Sequence, residues 1–162
     1  MADDSNESNS PAQRQPPSTQ RVPDPALKRL DRLVGTWQVS GPEIDGQVTF
    51  EWLEGGFFFA QHFDLDHNGH KIKGIELIGY GRNWDGTSSQ DCTSHMFDNE
   101  GNAFTYTWDV SEDTLTIWGG ERGSPDHYKG KFGDDGNRVT GAWEWPGGGY
   151  EATMTRIKGK SE

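Results

Sequence analysis

Six side chains carry most of the chemistry this sequence can offer: Glu76, Tyr80, His95, Trp108, Trp143 and His62. Each falls in the middle of a stretch that reads as a β-strand. Glu76 is the acid most exposed to burial, because it shares a strand face with Ile78 and Tyr80 while Ile75 and Leu77 lie opposite. A carboxyl in that position needs a partner. If His95 points the same way, the two form an acid–base pair or hold the polar end of a ligand. The competing reading is a satisfied polar network, or side chains that face solvent. Trp108 and Trp143 serve either as an aromatic wall for a planar ligand or as core filler. His62 joins the set only if the face Phe58-Ala60-His62 points inward, and the more apolar face Phe59-Gln61-Phe63-Leu65 competes for that place.

The elements that must position these residues are strands. Between Gly35 and Ile157 the chain alternates short apolar runs with Gly-, Asn- and Asp-rich turns, giving expected strands at 36–40, 47–53, 57–66, 71–82, 89–98, 103–110, 114–118, 127–133, 138–145 and 149–157. Period-two patterns support them: Val48, Phe50 and Trp52 share one face, as do Phe104, Tyr106 and Trp108. Turns such as Asp66-His67-Asn68-Gly69 and Asp98-Asn99-Glu100-Gly101 suit hairpins, whose central residues take positive φ. These connections are too short for crossover helices, so the sheet is antiparallel. The expectation is an all-β, roughly ten-stranded up-and-down barrel over 24–158, with a short helix from Asp24-Pro25 to about Leu33 that covers one end. Residues 1–23, rich in Ser, Asn, Gln and Pro, read as a disordered tail.

Two other clusters carry weaker signals. His62, Asp64, His67 and His70 resemble a zinc set, and Asp64-Leu65-Asp66-His67-Asn68-Gly69 matches the first half of a calcium loop. The calcium loop lacks its closing Glu, since Ile75 stands at the twelfth position. A hairpin tip explains both, so no metal is expected. The single cysteine, Cys92, reads as a small packed residue.

Composition narrows the partners. The chain has 162 residues, a net charge of −11 and 30% hydrophobic residues, with apolar content leaning on 7 Trp, 8 Phe and 4 Tyr. Such an acidic surface disfavours nucleic acid and anionic membranes. No segment is long and apolar enough to span a bilayer and no N-terminal signal region is visible, which points to the cytoplasm. Oligomeric state is not legible.

The stretch Leu30-Asp31-Arg32-Leu33-Val34-Gly35-Thr36-Trp37 resembles the opening of the calycin superfamily, which includes lipocalins, fatty-acid-binding proteins and nitrobindin-type barrels. The segments Trp52 to Phe58, Ile75 to Tyr80 and Phe97 to Gly101 look closest to small bacterial lipocalin-like barrels of unestablished function. The resemblance implies that Trp37 packs under Arg156 to close one end, and that a mixed polar and apolar cavity lies inside. It implies no reaction. The nitrobindin branch holds haem through a histidine near the C-terminus, and the two last strands here have none, so no cofactor is expected.

Three functions fit this reading. The first is a binding module for a small, largely hydrophobic molecule, with Glu76, Tyr80, His95, Trp108, Trp143 and His62 as ligand contacts. The second is an acid–base enzyme, an isomerase or cyclase, working on a hydrophobic substrate through Glu76 or His95. The third is an interaction module whose barrel is packed shut.

Overall fold

The computed structural model describes residues 21–159. Ten strands follow one helix: β1 (Gly35–Ser40), β2 (Ile44–Trp52), β3 (Phe58–His67), β4 (His70–Gly79), β5 (Cys92–Asp98), β6 (Ala103–Ser111), β7 (Thr114–Gly119), β8 (His127–Phe132), β9 (Arg138–Trp145) and β10 (Gly148–Lys158). Each pairs antiparallel with its sequence neighbours, and β10 returns to β1, so the sheet is a closed barrel without edges. The tail expected at 1–23 lies outside the described residues up to position 20.

Two expected strands are shortened, 71–82 at its end and 89–98 at its start. The chain leaves β4 at Gly79 and enters β5 only at Cys92. The intervening segment makes its own hairpin, with an isolated bridge between Arg82 and Ser88 and with Asn83 N–H donating to the Thr87 carbonyl at 2.8 Å. Asp85 anchors its tip by accepting from both the amide and the hydroxyl of Thr87. These local bonds satisfy backbone groups that strand pairing would otherwise use.

The helix, Pro25–Leu33, is a 3-10 helix. Its buried residues explain the choice. Leu27, Leu30 and Leu33 recur every third position, and at three residues per turn they align on one stripe. Asp24 caps the start by accepting from the Ala26 amide at 2.9 Å. The leucine stripe plugs one end of the barrel, with Leu33 fully buried. Trp52 Nε1 donates to Asp31 Oδ1 at 2.9 Å, and Arg32 lies 3.8 Å over the Phe132 ring while donating to the Glu112 carbonyl. The plug is thereby tied to β2, to β8 and to the β6–β7 turn.

The seam between first and last strands lies under this plug. Arg156 of β10 sits 4.2 Å over the buried Trp37 ring of β1. Its guanidinium donates to the carbonyls of Val34 and Arg32 and to Asn137 Oδ1. Trp37 Nε1 donates in turn to the Leu33 carbonyl at 2.8 Å. Gly35 makes this approach possible. At its φ of 124° a Cβ would lie 3.0 Å from Arg156 Nη1 and 2.4 Å from the Lys158 carbonyl oxygen.

Replacing Arg156 by Met keeps the apolar stem but strips donors from two backbone carbonyls. We expect Arg156→Met to lose about 2–3 kcal/mol in urea unfolding. Arg156→Lys should recover less than half, because an ammonium does not reproduce the planar fork. A midpoint unchanged in both variants would mean the seam holds without this side chain.

Candidate functional site

The plug fills one end of the barrel and leaves the other less filled. Along β4 the inward positions run Ile72, Gly74, Glu76, Ile78 from the open end toward the plug, and Ile78 is fully buried. Glu76 therefore lies at the floor of an interior cavity of about 290 Å³, whose wall includes Phe50, Phe63, Met96, Tyr106, Trp108 and Trp143. Gly74 helps shape the wall above it. Phe63 pairs with Gly74 across β3 and β4, and a Cβ on Gly74 would come within 2.7 Å of the Phe63 ring.

Glu76 is 6% exposed. Trp108 Nε1 donates to Glu76 Oε2 at 2.7 Å and lies 3.2 Å from Ser94 Oγ. Strand order explains the trio, because β4, β5 and β6 are adjacent and each contributes one inward residue. Burial pushes the Glu76 carboxyl from its ordinary 4.5 up to about 7, and hydrogen bonds from Ser94 and Trp108 pull only partly the other way. Among the described residues no ion pair involves Glu76.

Aromatic rings build the rest of the wall. Trp143 makes ring contacts with Tyr106 and Tyr128, with centroids 6.1 and 5.7 Å apart. Tyr128 is fixed by donating its hydroxyl to the Ala152 carbonyl at 3.0 Å. Phe50 meets Trp108 edge-on at 6.4 Å. Nearer the open end, Tyr150 contacts both His67 and Trp145. Burial raises the Tyr106 and Tyr150 phenols to about 12, so both stay protonated near neutrality.

Glu76, Trp108 and Trp143 thus line one cavity. Three other residues from the sequence set do not. His95 stands on the outer face of β5 and is exposed, so the expected inward pair with Glu76 does not form. The alternation places Ser94 and Met96 inside and leaves His95 out. His62 is also outside and pairs with Glu51 at 3.0 Å, because the face bearing Phe59, Gln61 and Phe63 turns inward. Tyr80 follows the end of β4 on the plug side, among the charges of Asp24 and Arg29, with its phenol raised mainly by burial. Its ring packs against the core and is not on the cavity wall.

The histidine and acid clusters resolve into hairpin contacts. Asp66 accepts from the Gly69 amide at 2.7 Å, Asp64 pairs with Lys71, and His70 pairs with Glu100. Asn68 takes the positive φ of 55° that the turn requires. Cys92 is buried, and burial pushes its thiol up to about 12. Sequence reasoning missed Ser94, Tyr128 and Tyr150. The signal was present in strand parity: once Trp108 is inside, antiparallel pairing with Cys92 places Ser94 inside too.

No family model matches the chain, and a search of curated proteins finds no match.

The raised Glu76 carboxyl has a consequence for stability. Between pH 4.5 and about 7 the folded chain holds a proton that the unfolded chain releases. The stability this group contributes is present below 4.5 and is lost as pH rises through 7. Glu76→Gln removes the titration. Relative to that variant, the unaltered protein should lose on the order of 3 kcal/mol between acid and mildly alkaline pH. Urea unfolding of both proteins across this range checks it, and a constant difference would mean that Glu76 titrates like an exposed acid.

Proposed function

We propose that this chain is a calycin-type binding barrel, with one domain over 24–158, that takes a small, largely apolar ligand into its interior. The observation that carries the reading is the cavity of about 290 Å³, walled by aromatic and aliphatic side chains with one hydrogen-bonded carboxyl at its floor. A few polar groups converging in an apolar pocket is the usual composition of a small-molecule site. The volume lies near the lower end of the ~300–1,000 Å³ range of such sites. It suits a compact ring or short chain better than a long lipid. Glu76 and Trp108 orient the polar end, and Trp143 supplies flat contact area. Closure of the barrel at Trp37 and Arg156 supports the calycin comparison.

A second reading, acid–base catalysis on a hydrophobic substrate, is favoured by the same carboxyl, because a group that titrates near 7 serves as donor and acceptor at neutral pH. With His95 outside, Glu76 would have to act alone or with Ser94.

Ala152 lines the cavity and is small. Ala152→Phe should fill it. The neutral probe N-phenyl-1-naphthylamine is expected to brighten on binding to the unaltered protein and to lose at least tenfold in affinity for the variant, with melting changed little. If the probe and a series of compact aromatic and aliphatic compounds move neither tryptophan emission nor melting temperature, the binding reading fails.

A further inference from the structure

The charges on the cavity wall are all of one sign. Glu76 at the floor and Asp98 toward the open end are both acids, and among the described residues no Lys, Arg or His lines the cavity. Asp98 is held by the Asn102 side chain and by the amides of Glu100 and Asn102, which keep its carboxyl below the ordinary range. It therefore carries a fixed negative charge. Glu76 is buried with hydrogen-bond donors but no cation. Between these acids stand the faces of Phe50, Tyr106, Trp108 and Trp143.

A ligand carboxylate entering this space would meet two acids and no basic group, so fatty acids and other organic anions are disfavoured. A neutral apolar ligand would leave the floor carboxyl without a charge partner. An ammonium meets both needs. It supplies the missing countercharge, and aromatic faces attract cations through their quadrupoles. The net charge of −11 favours the approach of cations as well.

We propose that the ligand is a compact organic cation, a primary or substituted amine on an aromatic or aliphatic body, whose ammonium sits against Glu76 while its body lies among the cavity rings. This rests on the binding reading above and narrows it to one chemical class. Binding the cation draws the proton off Glu76, so uptake strengthens as pH rises. Other groups facing Glu76 do not produce this dependence. Tyr106 and Cys92 are both raised to about 12 by burial, and Asp98 stays ionised. His70, outside beside Asp98 and Glu100, is a second titratable group near the open end, its imidazole raised mainly by the Glu100 hydrogen bond. Its influence must therefore be separated by a control that leaves it in place.

Three probes of nearly equal size separate the classes: 2-phenylethylamine, 2-phenylethanol and 3-phenylpropionate. Their binding to the full chain is measured by tryptophan emission and calorimetry at about pH 8 and about pH 5.5. The amine should bind about tenfold more tightly than the alcohol at the higher pH, with the acid weakest. That preference should fall at least threefold at the lower pH, while the alcohol is unaffected. Glu76→Gln, which leaves His70 and Asp98 intact, should reduce the amine to the level of the alcohol and remove its pH dependence. Equal binding of all three, or tightest binding of the acid, overturns the cation assignment and leaves the binding reading standing. Failure of all three to bind overturns both. If Glu76→Gln does not fold, the pH dependence in the unaltered chain decides: an amine-to-alcohol ratio that does not change with pH overturns the role of Glu76.

Discussion

Arg156 and Val34 are 122 residues apart in sequence, yet the guanidinium of one donates to the carbonyl of the other. A barrel is stable as a closed object only if its last strand finds its first, and that contact spans nearly the whole barrel sequence. Hydrogen bonding between β1 and β10 supplies the ladder, with an irregularity between Thr36 and Trp37. The arginine fork adds a fixed geometry at one point of that ladder. It joins β10 to the helix end, to the β8–β9 turn and, through its face, to Trp37. Together with the Trp52–Asp31 and Arg32–Phe132 contacts it fixes the plug relative to the barrel, and the plug determines which end is filled.

With that end filled, the cavity follows from shape. The plug-side layer contains Leu33, Trp37, Phe59, Ile78 and Val139, all fully buried and close-packed. Above it the interior is walled by large rings that are held in place. Tyr128 is bonded to the β10 backbone, Trp108 to Glu76, and Phe63 rests over Gly74. Rings fixed at their polar atoms or by a neighbouring glycine do not collapse freely into the space between them. The open volume is a property of those anchors and not simply of having ten strands.

Much of this was legible in the sequence because antiparallel hairpins announce themselves. Asn68-Gly69 and the Asp98 turn fix local registers, and alternation in β2 and β6 assigns their faces. The Trp37–Arg156 pair was expected from the resemblance of the first strand to calycin barrels, and not from spacing alone. Parity failed where a strand had no clean contrast. Near His95 the sequence runs Cys-Thr-Ser-His-Met-Phe, with an apolar residue on each face, and only pairing with β6 decides that Met96 is inside. Phe58-Phe59-Ala60 posed the same problem for His62. Tyr80 was misplaced for another reason: the strand stops at Gly79, and polar side chains in the following hairpin supply the hydrogen bonds that would have extended it. The helix was visible in the leucine spacing but its type was not, because a three-residue spacing is compatible with an α-helical stripe until packing selects one.

Glu76 is the residue at which the fold departs from what stability alone would select. A carboxyl taken out of water without a cation costs free energy, and two hydrogen-bond donors offset only part of that cost. A Leu or Met at this position would satisfy the barrel and would relieve Trp108 Nε1 of only one of its two acceptors. The acid is nevertheless surrounded by supporting structure: a tryptophan aimed at one oxygen, a serine beside it and an aromatic wall above it. Local inconsistency confined to one buried group, with neighbours organised around it, is where function is expected to reside. The buried carboxyl at the floor and the volume above it adjoin one another, so the proposed cation with an apolar body would engage both at once.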